Sequence, residues 1–245
     1  MAELILKDCK MYVAGYDLSG DMNSMGLKYN AGLQDKTVFG SGTRRRLGGL
    51  KDVEITGGGF WNATTDNDVV DPVIFNRIGS TEDVNSLIPE GTGIGNVAYF
   101  TQGLNAEYTP SGNIGEMLAF SMTAHGNKPL VRGRLMEAGT ISTGLTPTVQ
   151  TLGVRKPKQK LCVGVHVLSV SSSDAGITLH VETDNTTDFS GSPSTALTVT
   201  LSDTDANVGR WDSTASSTGD DNYRVSITQT TTGDSVNAVV VLGNA

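Results

Sequence analysis

Ala98-Tyr99-Phe100-Thr101-Gln102-Gly103-Leu104-Asn105-Ala106-Glu107-Tyr108 is followed by Thr109-Pro110-Ser111-Gly112-Asn113 and then by Glu116-Met117-Leu118-Ala119-Phe120-Ser121-Met122-Thr123. The first run is rich in aromatic and apolar residues. The second is turn chemistry, with Pro pre-setting one backbone angle and Gly and Asn tolerating unusual ones. In the third, Leu118, Phe120 and Met122 alternate with small neighbours, which is the period of a strand with one face buried. The stretch predicts a β-hairpin. The turn Gly126-Asn127-Lys128-Pro129 and a strand over Leu130–Leu135 extend it to a meander.

Strand-like runs continue outward in both directions. Upstream lie Lys10–Ala14, with a turn cluster over Gly15–Asp21, then Met25–Tyr29 and Leu50–Thr56. Between the last two, Gln34–Gly49 is polar and rich in Gly and Arg and reads as a long loop. One helix is expected over Asp71–Ile78. Asp71 is placed at the N-cap, Pro72 at the first turn, where its missing N–H costs nothing, and Gly79 at the stop. Ser80–Leu87 reads as a short turn. Downstream, regular strands are expected at Leu161–Val170, Ile177–Glu182, Ala196–Leu201, Tyr223–Thr230 and Val236–Leu242, a spacing that predicts a β-sandwich or jelly-roll.

Composition agrees with a mainly β chain. Hydrophobic residues make up 37% and aromatics 6%, with 30 glycines, too little bulk for a wide helical core. The 245 residues suit one large domain or two small ones. A shift to Thr and Gly near 139 divides the chain into residues 1–138, a linker or extended connection over 139–160, and a β-sandwich module over 161–245. The start lacks a signal-peptide pattern and no run is long enough to span a bilayer, so synthesis in the cytoplasm without membrane association is expected. The net charge of −8 lies in the last third. Residues 161–245 carry only Arg210 and Arg224 against ten acids, whereas residues 1–160 are balanced. Specific duplex binding, which needs a basic face, is not expected.

No residue set points to catalysis, a cofactor or a metal, and a non-enzymatic protein is expected. Cys9 and Cys162 read as reduced, buried thiols, and His125, His166 and His180 form no metal-ligand spacing. Gly91-Thr92-Gly93-Ile94-Gly95 lacks the Lys and Ser/Thr of a phosphate loop. Asp203-Thr204-Asp205-Ala206-Asn207 opens like a calcium loop, but Val208 stands where glycine is needed. The one sharp charge cluster is Arg44-Arg45-Arg46. It reads either as a solvated loop tip or as an ion-pairing contact with an acidic patch on a neighbouring copy.

Residues 10–135 resemble the major tail tube proteins of long-tailed bacteriophages. The likeness is spread over Met11-Tyr12-Val13-Ala14-Gly15-Tyr16-Asp17-Leu18-Ser19-Gly20-Asp21, Lys36-Thr37-Val38-Phe39-Gly40, Leu47-Gly48-Gly49-Leu50-Lys51-Asp52, Gly58-Gly59-Phe60-Trp61, Gly112–Phe120 and Arg132-Gly133. Leu47-Gly48 stands where the family has Pro beside Gly. The resemblance implies a tail-tube-type antiparallel β-sandwich or barrel with one flanking helix. It further implies homo-oligomeric, hexameric rings stacked head to tail into a tube, contacts with other tail proteins, and DNA passing through the lumen without specific binding during genome ejection. The expected location is the virion, after assembly in host cytoplasm. Thr37, Phe39, Arg44, Arg45 and Arg46 are then expected at a subunit or ring contact. Two other roles fit the same composition: a capsid decoration protein, and a carbohydrate-binding sandwich with Trp211 and Tyr223 as stacking platforms.

Overall fold

A computed structural model describes residues 7–40, 42–63, 69–142, 145–171, 176–190, 193–215, 219–229 and 235–245. The fold is mainly β and antiparallel, with one flanking α-helix among the described residues. The strands are β1 (Lys10–Val13), β2 (Tyr16–Asp17), β3 (Met22–Asp35), β4 (Arg46–Phe60), β5 (Asp83–Ile88), β6 (Val97–Ser111), β7 (Ala119–Gly126), β8 (Val131–Ile141), β9 (Gln150–Thr151), β10 (Leu161–Val170), β11 (Ile177–Asp184), β12 (Ser194–Leu201), β13 (Val208–Thr214), β14 (Asn222–Gln229) and β15 (Val236–Asn244). The helix α1 is Val70–Arg77.

Eleven strands form one sheet. Its main path runs β13-β10-β15-β8-β6-β5-β1-β2, and β3, β4 and β7 branch from the far half of β6. The branch exists because β6 is long. Val97–Phe100 pair with β8, whereas Gly103–Ser111 pair with β7. A second sheet, β12-β11-β14-β9, packs on β10 and β15. Leu161, Val163, Val165 and Val167 of β10 face Leu179, Val181, Leu197, Tyr223 and Val225, so these layers make a β-sandwich. The opposite faces of β10 and β15, with Cys162, Val239 and Val241, meet Tyr12, Ile88, Ala98, Phe100, Val131 and Leu135.

The main path therefore rolls over on itself until β13 lies against β5. Two glycines permit this approach. A Cβ on Gly15 would stand 2.2 Å from the Val167 carbonyl oxygen, and one on Gly209 would stand 3.1 Å from Ala14 Cα. The register also crosses positions 139–160. β15 is inserted between β8 and β10, with Leu242 opposite Arg134 and Val163 opposite Leu242. Residues from both sides of that segment thus share one sheet.

A third apolar cluster lies under the helix, where Val70, Val73 and Ile74 meet Met11, Val13, Leu18, Ile55, Phe120 and Met122. Gly79 at φ +85 follows the helix, as the sequence predicts. Asp71 is not the N-cap. The helix begins one residue earlier, and the Asp71 carboxylate accepts from Trp61 Nε1 at 2.9 Å and Tyr108 OH at 2.8 Å. The carboxylate that a cap would use is thus taken by two aromatic donors, one exposed and one half-buried. Ser80–Leu87 is not a simple turn, since Asp83–Ile88 is a fully buried strand. Its polar residues mask it: Asp83 is held by Arg77 and Asn105, and Ser86 by His166. The strand Val208–Thr214 carries no clear alternation and is also not predicted.

Candidate assembly surface

Gln34–Gly49 is not a long loop. Its two ends are strand, with Leu33 opposite Gly48, Gln34 opposite Leu47 and Asp35 opposite Arg46. Only positions 36–45 form the tip. Beyond Val53, β4 loses its partner β7, and a two-stranded ribbon continues alone for roughly 20–25 Å. Cross-strand pairs hold it. Lys28 Nζ lies 2.7 Å from Glu54 Oε2, and Lys51 stands over the Tyr29 ring at 5.6 Å. The tip is closed by its own backbone. Thr37 N–H donates to Asp35 at 2.8 Å, Lys36 N–H to the Arg45 carbonyl at 2.8 Å, and Arg45 N–H to Thr37 Oγ1 at 3.0 Å. The Thr37 side chain and backbone bonds hold the Asp35 carboxyl below its usual range.

This ribbon is exposed on both faces from Lys28 to Asp52. Phe39 is fully exposed, Leu50 is 91% exposed, and Leu33, Val38 and Leu47 are each more than half exposed. Two strands without a third layer are marginal in water, and this many exposed apolar side chains on one element mark a contact surface. The guanidinium groups of Arg44, Arg45 and Arg46 have no ion pair among the described residues. All five residues expected at a subunit contact thus lie at the outer end of one projecting ribbon, Thr37, Phe39, Arg44 and Arg45 at its tip and Arg46 on the last rung, opposite Asp35.

Two sheet edges are open near the base of the ribbon. Among the described residues β3 pairs only with β4. At the other end of the branch, β6 is covered by β5 as far as Gly103 and by Ser80 at Asn105, but past the bulge at Ala106, Glu107–Ser111 pair, among the described residues, on the β7 side only. Pro110 fits this edge, where a missing N–H costs no ladder bond. Beside it, exposed Phe75 and half-exposed Ile78 of α1 form a groove with Ala106, Glu107, Tyr108 and Thr109. Sequence reasoning passed over this groove. Phe75 is a large apolar residue on a short helix whose buried face is Val70, Val73 and Ile74, and that surplus was the available signal. The four strands β3-β4-β7-β6 are successively antiparallel, so the β6 edge of one copy could receive β3 of another in antiparallel sense.

The remaining motifs are absorbed by structure. Asp205 closes a capping box with Ser202 and pairs with Arg210, which accounts for the calcium-like spacing. Gly91 and Gly95 take φ +78 and +90 in a connection. Tyr223 is wholly buried and Trp211 packs on Phe100 at 5.4 Å, so neither offers a free stacking platform. Cys162 is buried; Cys9 is half-buried, 3.2 Å from Met25 Sδ. His166 is buried between Ser86 and the Ala14 carbonyl, and desolvation lowers its pKa to about 4 against the opposing pull of the Ala14 bond. No helix among the described residues is long and apolar enough to cross a membrane.

No protein-family profile and no curated protein matches the sequence. Among solved structures, a chain of the virion of a native gene transfer agent particle is 14% identical, with 46% of this chain and 84% of that chain covered at a TM-score of 0.36. A chain of the tail of an empty gene transfer agent particle, refined with C6 symmetry, is 17% identical, with 51% and 92% covered at 0.37. The Dit protein of phage SPP1, described as a hub of the adsorption apparatus, is 12% identical, with 98% and 100% covered at 0.39. Likeness at this level assigns neither family nor role.

Proposed function

We propose that this chain is a non-enzymatic structural protein of a phage tail that assembles with copies of itself into stacked rings, forming the tube through which DNA passes. The observation that carries the reading is the doubly exposed β3–β4 ribbon, rising from the β3-β4-β7-β6 branch of the large sheet, whose β3 edge and outer β6 edge are open. Such a sheet lowers its free energy by joining β3 of one copy to the Ala106–Ser111 edge of the next. Repetition closes a ring and removes these two open edges. The ribbon then reaches out of its own ring, and a head-to-tail contact of that kind repeats into a filament. A wall without a basic face does not retain phosphates, which suits passage of DNA.

Electron microscopy of the purified full chain at rising concentration tests the proposal. Hollow tubes with a regular ring repeat are the expected outcome. Isolated trimers that bind empty capsids would replace it with the decoration role.

A further inference from the structure

We infer that the tip of the β3–β4 ribbon docks on the opposite end of the same branch in a second copy of this chain, a foot built from Phe60, Trp61, Ile114, Met117 and Leu118. The inference rests on the self-assembling reading above and names the surface that receives the ribbon. Tip and foot terminate the same strands. β4 runs from Arg46, at the tip, to Phe60, and Phe60 stands opposite Ala119 of β7. The Trp61 N–H donates to the Leu118 carbonyl at 2.8 Å, which sets the turn between β6 and β7, positions 112–118, beside Trp61. The length of β4 puts roughly 45 Å between the two ends.

Both ends expose apolar side chains that the chain itself leaves uncovered. At the foot Ile114 is fully exposed, Met117 is 69% exposed, and Phe60, Trp61 and Leu118 lie between 37% and 45%. At the tip the counterparts are Leu33, Val38, Phe39, Leu47 and Leu50. Among the described residues, most of the large exposed apolar side chains belong to these two ends. Patches of this kind mark contact surfaces. A basic, apolar tip also suits an anionic membrane, but the matching apolar foot on the same chain favours a second copy.

Charge selects tip on foot over tip on tip. Positions 36–46 carry Lys36, Arg44, Arg45 and Arg46 and no acid, so two tips would oppose like charges. Positions 60–71 and 111–119 contain no Lys or Arg. Three carboxylates border the foot. Glu116 is exposed and accepts from Asn113 Nδ2 at 2.9 Å, Asp21 accepts from Asn62 Nδ2 at 3.2 Å, and Asp71 accepts from Trp61. Of the cations on the adjoining segment, Lys10 pairs with Asp17 at 3.0 Å, and Lys7 stands beside Ser19 and Met22. Apolar burial supplies the affinity of such a contact, and the arginines facing the carboxylates set its register. Because tip and foot are different surfaces at opposite ends, the contact is head-to-tail and repeats along an axis.

The full chain tests this. A foot variant carries Ile114→Lys and Met117→Lys; a tip variant carries Phe39→Ser and Leu50→Ser. Sedimentation and electron microscopy read the concentration at which tubes form. Each variant is expected to raise it about tenfold or more while keeping the parent's melting curve. In a third chain Phe39 is replaced by the photoreactive p-benzoylphenylalanine. After illumination of its tubes, mass spectrometry is expected to find position 39 joined to residues 60–63 or 111–119 of another copy. Tubes from the foot variant at the parent's concentration, or crosslinks confined to other segments, would overturn the inference and leave the tube reading standing. Binding to phosphatidylglycerol vesicles that the tip variant loses, with no crosslink to the foot in tubes, would overturn it in favour of a membrane. A parent that never assembles would overturn the reading and the inference together.

Discussion

His166 Nε2 lies 2.6 Å from Ser86 Oγ, joining residues 80 positions apart in the interior of the rolled sheet. The other ring nitrogen faces the Ala14 carbonyl, which can only accept. Nδ1 therefore carries the proton and Nε2 accepts from the Ser86 hydroxyl. The same ring lies 5.3 Å from Tyr12, so one neutral imidazole fastens β10 to β1 and β5.

That arrangement makes stability depend on pH. The folded-state pKa of about 4 lies below the ordinary value of 6.5, so the unfolded chain binds a proton first as pH falls. The contribution is intact above about 6.5, declines between about 6.5 and 4, and levels off below. The total loss is about 3 kcal/mol. Chemical denaturation across this range is the measurement. In His166→Gln the slope within the window is expected to shrink.

Asp83 accepts from Arg77 Nη1 and from Asn105 Nδ2, each at 2.6 Å, while Arg77 Nη2 donates to the Asn207 carbonyl at 2.8 Å. Asp83→Ala leaves a half-buried guanidinium and a buried amide without their acceptor. A loss of about 2–4 kcal/mol is expected in urea titration. Asp83→Asn, which keeps the shape and one acceptor, is expected to lose less.

Residues 1–138 expressed alone lack β10, β13 and β15. Val131 and Leu135 would lose their cover of Val239, Val241 and Cys162, and β8 would lose its ladder to β15. No cooperative thermal transition is expected from that fragment, whereas the full chain melts cooperatively. Circular dichroism or calorimetry on the two decides the point. A cooperative fragment would mean that the N-terminal part folds without its C-terminal strands.

Phe75 and Ile78 flank the open edge of β6 without belonging to the core. Phe75→Lys with Ile78→Lys is expected to leave the melting temperature of the unassembled chain within a few degrees, since surface changes cost little. Assembly is expected to fail, because a charged pair then borders the edge proposed to receive the next copy. Parallel light scattering and melting curves on this variant separate the two effects.

Strands with clean alternation were legible from sequence. Leu118/Phe120/Met122, Ile177/Leu179/Val181 and Leu197/Val199/Leu201 each place their apolar set where local period alone puts it; all but Leu118, which lies exposed at a hairpin tip, are buried. The strands that escaped are those without an apolar alternation to mark them. Asp83–Ile88 looks like a turn because Asp83, Asn85 and Ser86 are polar, and two of the three find partners on other elements. Leu33–Asp35 looks like loop because no apolar alternation marks a ribbon exposed on both faces. Thr37, Phe39 and Arg44–Arg46 stood out through charge and resemblance, but their gathering at the end of one projection depends on the pairing of Asp35 with Arg46.

By itself the sequence determined a mainly β, antiparallel chain with one short helix, an acidic last third and a basic cluster at positions 44–46, because these follow from side-chain period, turn chemistry and charge counting. Tertiary structure alone decided that β15 lies between β8 and β10, that the sheet rolls until Gly209 meets Ala14, and that the edge at Ala106–Ser111 stays open. Those outcomes depend on hydrogen bonds between residues up to about 150 positions apart. Local period sets which face of a strand is apolar, but it carries no information about which strand comes to lie beside it.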